Sequence, residues 1–163
     1  MKPDRQRIAG GLLALLLWSL APVTAHAWLA HGFGSGMSRM DVTRYLSDKE
    51  LTVIAENDRQ TFAGPVGDRA RYQLVYCSSP QRLYRMTFRL ADSPAAFVKT
   101  LKKYEKRYGE PEGLEGTPDN WNETNWQDQR VSLIWHLGET ETILLTHGRD
   151  GSSAEFQDLS ICQ

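Results

Sequence analysis

The chain has little cysteine, little histidine and no excess of either charge. Only Cys77 and Cys162 occur in 163 residues, and they do not form a C-x-x-C pair, so a local redox dithiol is excluded. H-E-x-x-H and G-x-S-x-G are absent, which removes the sequence signatures of a zinc protease and of an α/β-hydrolase. The 19 basic and 20 acidic residues balance, which argues against a nucleic-acid binder held by bulk charge. A 40% apolar share with 10% aromatics excludes a disordered or collagen-like chain. The length is that of one ordinary domain or two very small ones.

The one long apolar run is at the start. Lys2, Arg5 and Arg7 precede an almost wholly apolar stretch from Ile8 to Leu20, and Pro22 breaks it. Ala25-His26-Ala27 then places small residues at −3 and −1 of a cleavage site. This is the anatomy of a secretory signal peptide, over 1–27. The run is too short to span a bilayer as a helix, which takes about 20 apolar residues. No cysteine lies near the cleavage site, so a lipid anchor there is not expected. The expected product is a soluble chain, periplasmic or secreted, with no transmembrane segment.

Both cysteines survive that cleavage. An even count in an exported protein predicts a disulfide between Cys77 and Cys162. A loop of about 85 residues would be closed, for which the chain-entropy model gives about 4.6 kcal/mol.

Residues 28–36 are glycine-rich and predict an extended or turning lead-in. Ser38 with Asp41 three residues on forms a variant of the capping box, and Met40, Val42, Tyr45 and Leu46 supply an apolar stripe, predicting a helix. Leu51 to Ala55 reads as a short strand and 57–69 as a loop. Arg71 to Cys77 alternates, with Tyr72, Leu74 and Tyr76 on one face. Leu83 to Leu90 alternates likewise, with Tyr84, Met86, Phe88 and Leu90 on one face and Arg85, Thr87 and Arg89 on the other. Ser78-Ser79-Pro80-Gln81 links them as a hairpin.

The strongest helix is 94–108. Ser93 caps it, Pro94 stands at N1, and Phe97, Leu101, Tyr104 and Tyr108 form one stripe. Gly109 and Pro111 end it. Residues 110–120 read as an acidic linker, Trp121 to Trp126 as a weak strand, and Val131 to Leu137 as a strong one. In that strand Val131, Leu133, Trp135 and Leu137 share a face. Thr142 to His147 and a strand near 156–162 complete the order. The expectation is an α+β fold: two α-β-β-β units with an antiparallel sheet, helices packed on one face, and a C-terminal strand. Residues 28–109 form the first unit with the second helix, and 110–163 the second meander, in one compact domain.

Gly36-Met37-Ser38-Arg39-Met40-Asp41-Val42, followed by Leu46, resembles the Gly-Met-Ser/Thr-x-x-Asp/Glu-Val start of the BamE (SmpA/OmlA) family. Tyr108-Gly109-Glu110-Pro111 is similar to the Gly-x-Pro that closes that family's helical segment. The tandem helix-plus-meander order also resembles the β-lactamase inhibitor protein, built from two such repeats. The resemblance implies an exported α+β module acting by protein–protein contact. Members of the first family are lipid-anchored through an N-terminal cysteine that this chain lacks, so only the fold idea carries over, without an assembly role or binding residues.

No catalytic, metal or cofactor motif is present, and none of these activities is expected. A two-residue turn at Glu139-Thr140 would set His136 opposite Ile143, leaving His147 about 13 Å along the strand and unable to share a metal with it. Asn122-Glu123-Thr124 fits a glycosylation sequon, which has meaning only in a eukaryotic secretory pathway.

Charge is segregated. Arg39 to Arg107 carries 14 basic and 8 acidic residues, whereas Gly109 to Gln163 carries 2 and 11. The balanced total thus hides two oppositely charged halves. Candidate binding residues are Arg71, Arg85 and Arg89, which alternate outward on the first meander, and Trp121 and Trp126 in the weak strand. The expected function is that of an exported binding, adaptor or inhibitor protein with a protein partner in the bacterial envelope. The alternatives are a binder of carbohydrate or acidic envelope polymer and a small hydrolase using carboxylates in 110–128.

Overall fold

The computed structural model describes residues 28–116 and 130–163. The fold is α+β. A small hairpin, β1 (Leu29–Ala30) and β2 (Phe33–Gly34), precedes α1 (Arg39–Asp48). Four strands follow: β3 (Thr52–Glu56), β4 (Gln60–Gly64), β5 (Tyr72–Tyr76) and β6 (Leu83–Arg89). Then come α2 (Pro94–Tyr108), β7 (Gly113–Gly116), β8 (Val131–His136), β9 (Glu141–Gly148) and β10 (Gly151–Asp158), and a 3-10 helix over Leu159–Cys162.

The last eight strands form one antiparallel sheet in the order β3-β4-β5-β6-β10-β9-β8-β7. Each unit is therefore a helix followed by four strands. The units join through their final strands, β6 and β10, with Met86 opposite Phe156 and Phe88 opposite Ala154. The C-terminal strand is thus the fourth strand of the second meander. It begins earlier than expected, at Gly151, and Cys162 lies beyond it in the 3-10 helix. Residues 57–69 are not all loop, because β4 runs through them. Gly113–Gly116 is a strand inside the expected linker. The weak strand expected at 121–126 lies outside the described residues.

Both helices start as their caps predict. The Asp41 N–H donates to Ser38 Oγ at 3.2 Å, and the Ala96 N–H to Ser93 Oγ at 3.2 Å. Gly109 closes α2 at φ +86°, a conformation that suits glycine. The inward stripe of α1 is Val42, Tyr45 and Leu46, whereas Met40 is 69% exposed. The core joins these residues to Leu74, Tyr76, Met86, Trp135, Ile143, Leu145 and Phe156, all on the same sheet face. Tyr104 of α2 meets Trp135 and Phe156 edge-on, each at 5.8 Å. Trp28, the residue after the expected cleavage point, is 2% exposed and packs against Phe156.

Strict alternation fails twice among the described strands, once in β3 between Val53 and Ala55 and once between β5 and β6. The β5–β6 register shifts so that Val75 faces Arg85 but Tyr76 faces Leu83. A bulge absorbs the extra residue. Leu83, not Tyr84, then fills the core, at 0% exposure.

Arg39 clamps α1 to the β3–β4 turn. Its Nη2 lies 2.7 Å from Glu56 Oε1 and donates to the Asn57 carbonyl at 2.8 Å, while Nη1 donates to the Asp58 carbonyl at 3.2 Å. The hydrogen bond from Arg39, with a second from Thr61, holds the Glu56 carboxyl below its usual range. The site is partly solvated, so Arg39→Ala is expected to cost about 1 kcal/mol. Arg39→Lys should recover little of it, because an ammonium cannot fork. Urea unfolding of the two variants measures both effects.

Cys77 and Cys162 form a disulfide with Cα atoms 5.3 Å apart, and no free cysteine remains among the described residues. No described helix is long and apolar enough to cross a membrane.

Candidate functional site

Because α1, α2 and the β1–β2 hairpin all pack on one face of the sheet, the other face is left open by the described helices and hairpin. The 3-10 helix contacts β6 and is tied to Cys77. The register lays this face out as rows. Gln73, Thr87, Glu155, Leu144 and Ile134 lie side by side across β5, β6, β10, β9 and β8. Val75, Arg85, Gln157, Thr142 and His136 form the next row. On the other side lies a row with Arg89, Ser153, Thr146 and Ser132, and Arg71 stands beside Arg89, whose N–H donates to the Arg71 carbonyl at 2.8 Å.

The three arginines proposed from the sequence therefore share one surface. Arg71 and Arg89 are exposed and Arg85 is half-buried. Arg71 lies 4.0 Å from Asp68, a loose contact between exposed groups. Arg85 and Arg89 side chains make no hydrogen bond or ion pair within the described residues. Arg85 instead rests over the Tyr84 ring at 5.8 Å, and its Nε–H is buried without an acceptor. Glu155 is the one acid among the side chains described in these three rows, and it accepts from Thr87 Oγ1 at 3.1 Å.

Two concavities mark the face. A trough of about 220 Å³ is lined by Ile134, Leu144, Thr142, His136, Glu155 and Gln157. Residue pattern alone does not reveal it, because β8 and β9 carry adjacent apolar residues on both faces. A cleft of about 280 Å³ at the end of the sheet gathers Asp68, Asp92 and Asp150 with Arg69, Arg71 and Arg89.

The other chemistry expected or excluded from the sequence can now be located. The turn after β8 is one residue longer than expected: the Leu137 N–H donates to the Glu141 carbonyl, and His136 pairs with Thr142 rather than Ile143. His136 consequently lies on the open face, whereas His147 lies on the core side with Nδ1 2.7 Å from Ser152 Oγ. His31 stacks on Phe88 at 3.9 Å, and burial, with a smaller contribution from Lys103, pushes its pKa down. No cluster of three metal-ligating side chains occurs among the described residues. Glu110 and Glu112 are exposed. Trp121, Trp126, the sequon and the remaining carboxylates of 117–128 lie outside the described residues.

One carboxylate pair sits on the core side. Glu141 is opposite Asp158, which is 1% exposed and accepts from Ser160 N–H at 3.0 Å and Oγ at 2.6 Å. Burial raises the Glu141 pKa, and the Asp158 charge raises it further. A raised folded value means that Glu141 favours the folded state only while protonated. That contribution is present below the unfolded carboxyl range and lost as pH rises through the folded value. Glu141→Gln is expected to raise the melting temperature by about 1–3 °C at pH 7 and to leave it unchanged near pH 3.5. Thermal melts at the two pH values check this.

Comparisons of the chain with protein-family models, with curated proteins and with solved structures gave no match.

Proposed function

We propose that this is an exported binding protein, an adaptor or inhibitor acting in the bacterial envelope by protein–protein contact, and that it performs no catalysis. The observation that carries the reading is the open sheet face with Arg71, Arg85 and Arg89 aligned on it. A surface helix or sheet normally places its charges among partners of opposite sign, whereas these guanidinium groups are largely unpaired within the described residues. Arginine on a firm sheet presents planar donors at little entropic cost, which suits recognition of a carboxylate. The signal-peptide anatomy of 1–27 and the long-range disulfide support export. The likeness of Gly36 to Val42 to the BamE-type start is compatible with an envelope role, although its Ser38 and Asp41 are already accounted for by helix capping.

The test is a pull-down from envelope extract with the wild-type protein and with Arg85→Glu plus Arg89→Glu. A partner retained by wild type and lost by the double variant is the expected result. Retention by both, with the variant folded by circular dichroism, rules out this face.

A further inference from the structure

We propose that the open face takes an acidic protein segment, a loop or hairpin that presents two carboxylates and one apolar side chain. This rests on the protein-binding reading and names the chemistry of the partner.

The first anchor is the Arg71–Arg89 pair. The two lie opposite one another on adjacent strands, an arrangement of like charges that disfavours the sheet. Asp68 offsets it from 4.0 Å on one side, while Asp92 and Asp150 line the same cleft without an ion pair to either guanidinium group. A carboxylate seated over both guanidinium groups from outside would relieve the repulsion and gain charge-assisted hydrogen bonds. The second anchor is Arg85, four residues along the same strand and hence about 13 Å away. Its side chain is already steadied over Tyr84 and its Nε–H has no acceptor among the described residues, so little ordering remains to be done on binding. The third anchor is the trough between Ile134 and Leu144, at about 220 Å³ large enough for one leucine- or phenylalanine-sized group. Thr87, Gln157 and Gln73 lie between or beside the anchors and supply donors and acceptors.

The same geometry disfavours other occupants. A uniform polyanion would meet Glu155 at the centre of the face and would leave the apolar trough unused. A second copy would bring three arginines against three arginines. The two carboxylates must be separated and an apolar group placed to one side, which a folded loop achieves and a regular polymer does not.

The experiment pans a phage library of cysteine-constrained 12-residue peptides against the intact disulfide-bonded protein. Recovered peptides should be enriched in Asp and Glu together with Leu or Phe. A synthetic copy of the leading peptide should bind at least tenfold more weakly to Arg85→Glu and to Ile134→Ser, both checked by circular dichroism. A copy with lysine in place of its acids should not bind. Polygalacturonate should compete poorly at equal charge. The proposal is overturned if no peptide is enriched, if the peptides carry no acidic excess, if the two substitutions leave affinity unchanged, or if polygalacturonate binds more tightly than the peptide. Should the envelope partner still be lost on Arg85→Glu plus Arg89→Glu while the peptides prove non-acidic, the binding role stands and only this choice of partner chemistry falls.

Discussion

Replacing both Cys77 and Cys162 by serine is expected to lower the stability of the folded chain by about 4 kcal/mol, with a fall in melting temperature of roughly 15 °C. The bridge spans 85 residues and ties the end of β5 in the first unit to the 3-10 helix after β10. In the denatured chain it forbids most arrangements in which these points are far apart, so its removal acts chiefly on that ensemble. Within the folded state the 3-10 helix keeps other tethers: the Leu159 N–H donates to the Thr140 carbonyl at 3.0 Å, and Asp158 caps the helix through Ser160. The sheet itself should therefore persist in the double variant. Urea unfolding of the oxidised wild type, the reduced wild type and the double serine variant measures the effect. The latter two should agree, and a loss below about 1 kcal/mol would contradict the loop-closure account.

The second large effect concerns Trp135. It is 1% exposed, lies edge-on to Tyr104 and pairs across the sheet with Ile143. Its Nε1–H donates to the carbonyl of Gly109, the residue that ends α2, at 2.9 Å. This one side chain fills core volume and pins the end of a helix to β8. Trp135→Ala should cost about 4 kcal/mol, since the space between helix and sheet cannot fully close. Trp135→Phe keeps an aromatic ring and loses the indole donor. Gly109 is exposed, so water can serve its carbonyl, and the loss from the missing hydrogen bond is expected to be about 1 kcal/mol beyond the smaller packing area. Urea midpoints with unchanged slopes would show that both act on the folded state. Equal losses for the two variants would place the whole effect in the hydrogen bond.

Where the residue pattern carried a strong period, the elements were legible. Both helices follow from Ser38, Ser93, Pro94 and Gly109, and β5, β6, β8 and β9 follow from alternation. In the large sheet two strands were not legible and the start of a third was missed, each for a different reason. In β4, Gln60-Thr61-Phe62-Ala63-Gly64 is short, and the turn-forming residues around it dominate the local signal. In β7, two of the four residues are glycine. In β10 the buried positions are Ser152, Ala154, Phe156 and Asp158, so only one large apolar residue marks a central strand. Small side chains there suit contact with α2, which packs against this strand. The bulge at Tyr84 was equally hidden, since a skipped residue leaves no mark in a run that already alternates. Of the candidate site, the arginines were found because Arg85 and Arg89 interleave with Met86 and Phe88. The Ile134–Leu144 trough was not, because adjacent apolar pairs do not say which member faces the core.

The seam between β6 and β10 sets the order in which the molecule can be completed. Residues 70 positions apart, such as Met86 and Phe156, must meet before either central strand is paired on both sides. Every strand pair within a meander is local, whereas this one waits until the chain has been made past Gly151. Assembly should thus proceed as two quickly formed halves and one slow closure, with a rate governed by long-range contact. Until then β6 is a bare edge rich in apolar residues, a template for pairing with the wrong chain. A chain shortened before Gly151 would keep that edge permanently.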